Sequence, residues 1–264
     1  MNLTGILGLL MGIGLIIYGM VGNGDSAMNF FDVPSIAIVL GGTLGALMLS
    51  FPFKTIKNVP RMIGMVFMPK KYKPEKYIKE MVEYAKIARS KSLLALEESA
   101  NVCEEPFMKS SLLLIVDAND SDRVKAMLDD AIDFICERHE ANWSFFERAS
   151  AVAPAFGMIG TLVGLINMLQ NLTGNADGLG AGMSTALITT FYGCIIAHLI
   201  CSPIANRLKS IHAQEILCMQ IIEEGSLAII SGANPRYIEE KLEFMLPKGK
   251  GKSKIYNKNS KNNN

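Results

Sequence analysis

Four long stretches of the sequence, 1–24, 33–53, 149–176 and 178–206, contain no Asp, Glu, Lys or Arg. Each stretch is long enough to cross a hydrocarbon core of about 30 Å, which requires about 20 helical residues. Uncharged runs of this length exclude an ordinary soluble domain. The sequence therefore predicts four transmembrane helices.

Positive charge is also absent from the short connectors at 25–32 and around 177. All 26 Lys and Arg residues lie in two blocks, 54–148 and 207–261. Basic loops stay on the cytoplasmic side of a bilayer. The charge pattern predicts a multi-pass protein of the cell membrane with both termini inside, two short outer loops and one large inner loop.

Several kinds of chemistry have no support in the sequence. The five cysteines form no CxxC pair and no metal-ligand spacing, which favours reduced thiols over a disulfide framework. There is no Gly-rich phosphate loop and no nucleophile elbow. The first apolar run lacks a basic N-terminal region, so we interpret it as a span and not as a cleaved signal peptide. We expect no enzyme, no cofactor and no nucleic-acid partner.

The expected fold class is an all-α integral membrane protein whose helical cytoplasmic domain extends from spans 3 and 4. Residues 1–52 hold spans 1 and 2, and 53–148 hold a cytoplasmic interface helix and a helical domain. Spans 3 and 4 occupy 149–206, and a cytoplasmic helical segment occupies 207–247. The remaining residues, 248–264, are rich in Lys and Asn and are expected to be a disordered basic tail.

Residues 53–68 are expected to form one interface helix. Lys54, Lys57 and Arg61 recur at helical spacing among apolar residues, which places these cations near anionic lipid headgroups. Pro60 is a candidate kink in this helix.

Further helices are expected on the cytoplasmic side. Pro74 suits the first turn of a helix running to about Ala100, and 107–116 is a shorter apolar helix. Asp120 and Ser121 are candidate caps for the next helix.

Two long helices are expected to link the membrane to the cytoplasm. One runs from Arg123 into span 3 without an interruption before Pro154, and span 4 continues past Arg207. Gly225 and the segment 232–235 are expected to interrupt the helical segment beyond span 4.

Spans 3 and 4 each carry one face of small and hydroxyl-bearing residues. In span 3 the face holds Gly157, Gly160, Thr161 and Gly164, and in span 4 it holds Ala186, Thr189, Thr190, Gly193 and Ala197. Two interpretations remain open: tight helix packing, or the wall of a narrow polar path.

Three more residues of these spans leave alternatives open. Pro154 and Pro203 each remove one backbone hydrogen bond, which produces either a static kink or a moving hinge. His198 is either a proton relay or a neutral, hydrogen-bonded interior histidine.

The spans contain no carboxylate of their own. Ion-translocating proteins usually mark their path with an intramembrane ionisable residue. Either this chain moves no ions, or a partner supplies the carboxylate.

The motifs PAFGMIGTLVGL from Pro154, TTFYG from Thr189 and SPIA from Ser202 resemble spans 3 and 4 of MotA/PomA flagellar stator subunits, members of the MotA/TolQ/ExbB ion channel family. The order of the spans and the large inner loop are also similar. The resemblance implies a torque-generating ion channel in which a homo-oligomeric ring, a pentamer, surrounds a MotB-type single-span partner. That partner would supply the missing Asp.

The resemblance also implies roles for individual residues of the spans. Pro154 and Pro203 match the two functional prolines of the family, and Thr190 matches the polar position near the partner's carboxylate. Gly157, Thr161 and Thr189 are the further residues expected on the ion path or partner face. At Thr161 the resemblance is closer to sodium-type members, in which a hydroxyl in span 3 helps to bind the cation, whereas many proton-type members carry Ala there. One position does not decide the ion, so the transported ion is expected to be H⁺ or Na⁺.

A second group of residues is implied to bind the rotor protein, of the FliG type. The main residues of this group are Arg89 and Glu97, and Lys91 and Glu98 are secondary members. Because Arg89 and Glu97 are eight residues apart, they are expected on nearly one helix face, unable to neutralise each other. Without the resemblance, these charges would be interpreted as a solvated surface.

Two rival functions remain at the level of sequence. One is a TolQ/ExbB-type energy-transducing channel subunit, against which four spans argue. The other is a non-conducting membrane scaffold whose glycine faces only pack.

Overall fold

The architecture is given by a computed structural model that describes residues 3–22, 26–117, 120–170 and 176–247. Every regular element in these ranges is helical, and no strand occurs within them. This confirms the all-α class. The expected disorder of 248–264 concerns residues outside the described ranges.

Ten α-helices within the described ranges locate the residues of interest. In chain order they are α1 (Leu3–Val21), α2 (Val33–Ser50, with a π-helical segment at Ala37–Gly41), α3 (Phe53–Lys57), α4 (Val59–Phe67), α5 (Pro74–Ser90), α6 (Leu96–Val102), α7 (Pro106–Asp117), α8 (Ser121–Gln170), α9 (Ala176–Cys194, a π-helical segment Ile195–Cys201, then Ser202–Ile230) and α10 (Pro235–Glu243).

Among the described residues, three helices are long and apolar enough to cross a membrane: α2, α8 and α9. A shorter apolar stretch, Leu7–Val21, belongs to α1. Large apolar side chains such as Leu162 and Leu187 are about 60% exposed in the single chain. Exposed apolar surface of this kind fits a lipid or protein environment.

The chain divides into two compact units. The first unit comprises Met1–Lys70 with Arg138–Ile211, and the second comprises Lys71–Glu137 with His212–Asn264. The range 53–148, predicted to hold an interface helix and a helical domain, is thus shared between both units.

In the first unit, α2 is fixed to its neighbours at its start and at its middle. The Asp32 carboxylate caps α2 by accepting the Ser35 N–H at 3.0 Å. The Tyr192 hydroxyl of α9 donates to the Phe30 carbonyl just before this cap. Further along, a Cβ at Gly42 would overlap the Phe156 ring of α8.

The predicted interface helix 53–68 is two helices, α3 and α4, separated at Asn58. The single-helix prediction was wrong because Pro60 starts a new first turn instead of kinking a continuous helix. Met62 of α4 is buried in a core with Leu47 and Phe145. The apolar face of this segment therefore packs on protein.

The second unit has its own apolar core. Met81 of α5, Leu112 of α7, Leu128 of α8 and Ile222 of α9 are all at most 1% exposed. Burial of such side chains is the main source of stability for this unit. Gly225 does not interrupt the helical segment as predicted but lies inside α9. A Cβ there would lie 2.9 Å from the Met81 side chain, which explains the glycine at this position.

The predicted helix from Pro74 to about Ala100 ends at Ser90. Ser92 has φ 140° and ψ 169°, a conformation that favours glycine and cannot continue a helix. A 3₁₀ turn at Leu93–Ala95 comes next, and α6 then begins. Arg89 and Glu97 therefore lie on different helices, and the expected shared helix face was wrong.

The long helices were predicted correctly. Asp120 caps α8, because its carboxylate accepts the Asp122 N–H at 3.0 Å, and α8 continues through Pro154. Past Arg207, α9 continues to Ile230. Gly232, at φ 70°, lies in the turn before α10.

Candidate functional site

Helices α8 and α9 approach so closely that only glycine fits at several positions. A Cβ at Gly157 would lie 3.1 Å from the Thr189 carbonyl oxygen, and one at Gly164 would lie 2.6 Å from the Gly182 carbonyl oxygen. At Gly193, a Cβ would lie 2.8 Å from the Ala153 carbonyl oxygen. The small faces of spans 3 and 4 therefore pack backbone against backbone.

A hydroxyl cluster interrupts this packing. The Oγ1 atoms of Thr161 and Thr190 are 2.5 Å apart. Thr161 Oγ1 also lies 3.1 Å from both the Gly157 and Ala186 carbonyl oxygens, and Thr190 Oγ1 lies 3.3 Å from the Ala186 carbonyl. The same faces thus contain both close backbone packing and a cluster of hydroxyl groups.

The hydroxyl cluster offers oxygen atoms to a ligand. Each Thr hydroxyl has one proton and two lone pairs. The Ala186 carbonyl oxygen lies within hydrogen-bond distance of three hydroxyls, those of Thr161, Thr189 and Thr190. Thr190 is exposed and Thr161 is half-buried, so the hydroxyl oxygens of the cluster lie at an accessible surface. Such oxygens can accept a hydrogen bond or act as hard ligands for a cation.

Thr189 differs from its neighbour Thr190. It is fully buried and donates within its own helix, with Thr185 and Ala186 carbonyl oxygens at 2.9 and 3.0 Å. A Cβ at Gly160 would lie 2.5 Å from the Thr189 Cβ. The structure therefore places Thr189 in the α8–α9 contact, on the buried side of the Ala186 carbonyl that it shares with the hydroxyl cluster.

The two prolines occupy different surroundings. Pro154 lies half-buried inside α8, and a Cβ at Gly193 of α9 would be 3.2 Å from its Cα. Pro203 is exposed and lies two residues beyond the end of the π-helical segment of α9. Neither π-helical segment has a signal in the sequence that we recognised.

His198 lies on the exposed side of α9, lining a cavity of about 360 Å³ with apolar neighbours including Ile16 and Leu199. It is not an interior residue of the single chain. No group of three His, Cys, Asp or Glu side chains in the described ranges is placed to hold a metal.

The charged residues expected at the rotor form one short exposed segment of the second unit. Arg89 is in the last turn of α5, Lys91 comes just after it, and Glu97 and Glu98 are in the first turn of α6. All four are exposed. Unlike the Lys76–Glu80 pair of α5, none of them makes an ion pair with another described residue.

In the same unit, Glu223 is a buried carboxyl that the sequence did not single out. It is 7% exposed. Burial, followed by a hydrogen bond to Asp129 and repulsion from Asp129 and Glu224, raises its pKa to about 7, with Lys125 acting in the opposite direction.

Comparisons with known proteins identify the family of the chain. Residues 99–221 match the MotA/TolQ/ExbB proton channel family, and 6–92 match the Motility protein A N-terminal family. The chain is 40% identical to chemotaxis protein PomA of Vibrio alginolyticus, covering 95% of this chain and 97% of that one. It is 38% identical to motility protein A of Borreliella burgdorferi, covering 94% and 95%.

Solved structures show the same architecture. The chain superposes on a chain of C. jejuni MotAB with a TM-score of 0.85 and 26% identity, covering 94% of this chain and 97% of that one. For the flagellar MotAB stator complex of Bacillus subtilis the TM-score is 0.82 with 29% identity, covering 98% of both. Similarity over nearly the full length, at up to 40% identity, establishes the family. The chain belongs to the MotA/TolQ/ExbB proton channel family and, within it, to the motility protein A group.

Proposed function

We propose that this chain is a stator subunit of a bacterial flagellar motor, converting ion flow into torque on the rotor. The observation that carries the proposal is full-length similarity to PomA and to MotAB stator structures. The match of 6–92 to the motility protein A N-terminal family favours this function over a TolQ/ExbB-type transducer. Membership of a channel family agrees with the expectation that the chain is not an enzyme.

The proposed topology has four spans with both termini in the cytoplasm. Support comes from the uncharged runs 1–24 and 33–53, from 149–176 and 178–206, and from the absence of Lys and Arg in the outer connectors. The exposed Lys54, Lys57 and Arg61 would then face anionic lipid headgroups.

The proposed partner is a MotB-type single-span protein enclosed by a homo-oligomeric ring, a pentamer. The uncharged spans leave the titrating carboxylate to be supplied by this partner. Its Asp would lie near the exposed Thr190 hydroxyl, and the transported ion is H⁺ or Na⁺. An unhydrated Na⁺ would use the Thr161 and Thr190 oxygens as ligands, whereas a protonated Asp would donate to them.

The proposed rotor contact is the exposed segment holding Arg89, Lys91, Glu97 and Glu98. Because these charges have no described ion-pair partner within the chain, they are available to a charged partner surface of the FliG type. Charges of this kind steer association and set specificity more than affinity.

A co-expression experiment tests the function. The chain is expressed with a one-span partner carrying an intramembrane Asp, in a motile bacterium deprived of its own stators. We expect torque only when both proteins are present. Removing sodium at constant proton-motive force then identifies the ion, because only a sodium motor stops.

The role of the Thr161 hydroxyl is tested with Thr161→Ala and the conservative variant Thr161→Ser. Loss of the hydroxyl should slow the motor, and Ser should retain most of the speed. A pair that assembles but produces no torque under either ion condition would support the scaffold alternative, in which the glycine faces only pack.

A further inference from the structure

The π-helical segment of α9 ends next to a proline. The Ser202 N–H donates to the Ala197 carbonyl, five residues earlier, which is the π-helical pattern. The following residue, Pro203, has no N–H to donate. At least one carbonyl at 198 or 199 therefore lacks its intrahelical donor.

A residue of α8 reaches this segment. The half-buried Ser150 hydroxyl donates to the Ala197 carbonyl at 3.0 Å. A serine inside a helix commonly bonds to a carbonyl of its own helix one turn back. Here the hydroxyl instead crosses to α9 and contacts the acceptor of the last hydrogen bond in the π-helical segment.

Ser150 also continues the contact face of α8. Ser150, Ala153 and Gly157 follow one another at spacings of three and four residues and so share one side of the helix. A Cβ at Gly193 would be 2.8 Å from the Ala153 carbonyl and 3.3 Å from the Gly157 Cα. The backbones of α8 and α9 are therefore in contact immediately before the π-helical segment. A change of register in that segment would alter the packing of α9 against the Pro154 turn of α8.

We propose that Ser150 is a positioning residue that holds the π-helical register of α9 before Pro203 and thereby couples the two proline turns. This proposal rests on the stator function. Loss of the extra residue from the π-helical turn would turn the following part of α9 by about 100° and move it by about 1.5 Å. A step of the motor would use this register change, with the Ser150–Ala197 hydrogen bond setting its equilibrium.

The test uses Ser150→Ala, its conservative counterpart Ser150→Thr, and Ser144→Ala as a control on the same helix. The Ser144 side chain makes no hydrogen bond to another described residue. Each variant is expressed with the partner, and torque at stall, speed at low load and the number of recruited stators are measured. We expect Ser150→Ala to change low-load speed about fivefold, the equivalent of one lost hydrogen bond, with recruitment unchanged. Thr should restore the speed, and the control should behave like the wild type.

A second readout is independent of motility. Cys201 is 8% exposed at the end of the π-helical segment, and Cys194 is exposed before it. Labelling with N-ethylmaleimide in native membranes, followed by peptide mass spectrometry, should show faster modification of Cys201 in Ser150→Ala only, relative to Cys194.

The outcomes separate the role of Ser150 from the stator function. Unchanged speed together with unchanged Cys201 labelling in Ser150→Ala would overturn the positioning role, as would failure of Thr to restore either readout. Absence of torque in every chain, wild type included, would contradict the stator function, and the labelling ratio would still decide the role of Ser150.

Discussion

At the scale of single residues, the glycines of α8 determine how close α9 can come. Gly160→Ala would place a Cβ 2.5 Å from the Thr189 Cβ, so the helices must separate. Overpacking of this kind costs about 1–3 kcal/mol. We predict a lower melting temperature and less assembled complex in detergent. Gly180→Ala, with nothing within 4 Å of the new Cβ, is the matched control, and equal melting of both variants would contradict the packing assignment.

The buried Glu223 predicts a pH dependence of stability. Its pKa is about 7 in the folded chain against a usual value of 4.5, so the folded state holds the proton more tightly than the unfolded state does. The contribution of Glu223 to the free energy of unfolding is therefore fully present below pH 4.5 and is lost as the pH rises toward 7. Glu223→Gln should therefore be more stable than the wild type above pH 7, by on the order of 1 kcal/mol.

Thermal melting of the purified complex across this pH range measures that difference. The gap between Glu223→Gln and the wild type should shrink as the pH falls toward 4.5. Glu224→Gln serves for comparison. The Glu224 Oε2 atom lies 2.5 Å from the Lys241 Nζ atom, so this substitution should lower the stability of the chain. A gap that stays constant with pH would show that the Glu223 carboxyl does not titrate in this range.

At the scale of elements, the break between α5 and α6 separates the proposed rotor charges into two groups. Arg89 lies in the last turn of α5 and Glu97 in the first turn of α6, so each charge can contact the rotor independently. Arg89→Glu and Glu97→Lys should each reduce stator recruitment at low ionic strength, with little change in the stability of the chain. Lys79→Glu, another exposed position of α5, is the control. Full swimming speed in the double variant would exclude this segment as the rotor contact.

The elements also show where sequence patterns succeed and where they stop. Apolar periodicity and the Asp120 cap identified the long helix α8, because its signals are local and repeated. The break at Ser92 carries no Gly or Pro, so its unusual φ of 140° had no marker in the sequence. Gly225 was wrongly expected to interrupt a helix, because the reason for a glycine there, close contact with Met81 of α5, is tertiary.

The candidate site was predictable only in part for the same reason. The faces holding Thr161 and Thr190 follow from helical spacing, and the structure brings these two hydroxyls together. The Ala186 and Ala197 carbonyls, which accept hydrogen bonds from side chains, are backbone groups that no residue type reveals. Thr189 and Thr190 share a motif, but Thr189 is buried and Thr190 is exposed, a difference that the packing of α8 decides.

At the scale of the whole molecule, charge and hydropathy are partitioned along the chain. Four uncharged runs alternate with charged segments, and the long helices α8 and α9 each contain both kinds of sequence. A continuous helix is a stiff element that can carry motion along its length. This arrangement suits a protein that receives ion-driven motion in the bilayer and delivers it elsewhere.

The central claim is that the chain has no titrating acid in its spans and must obtain one from its partner. Ion flux into liposomes containing the purified chain, with and without the MotB-type partner, tests this claim most directly. We predict no flux for the chain alone, flux for the pair, and loss of that flux when the partner's intramembrane Asp is replaced by Asn. Robust cation flux through the chain alone would contradict the account.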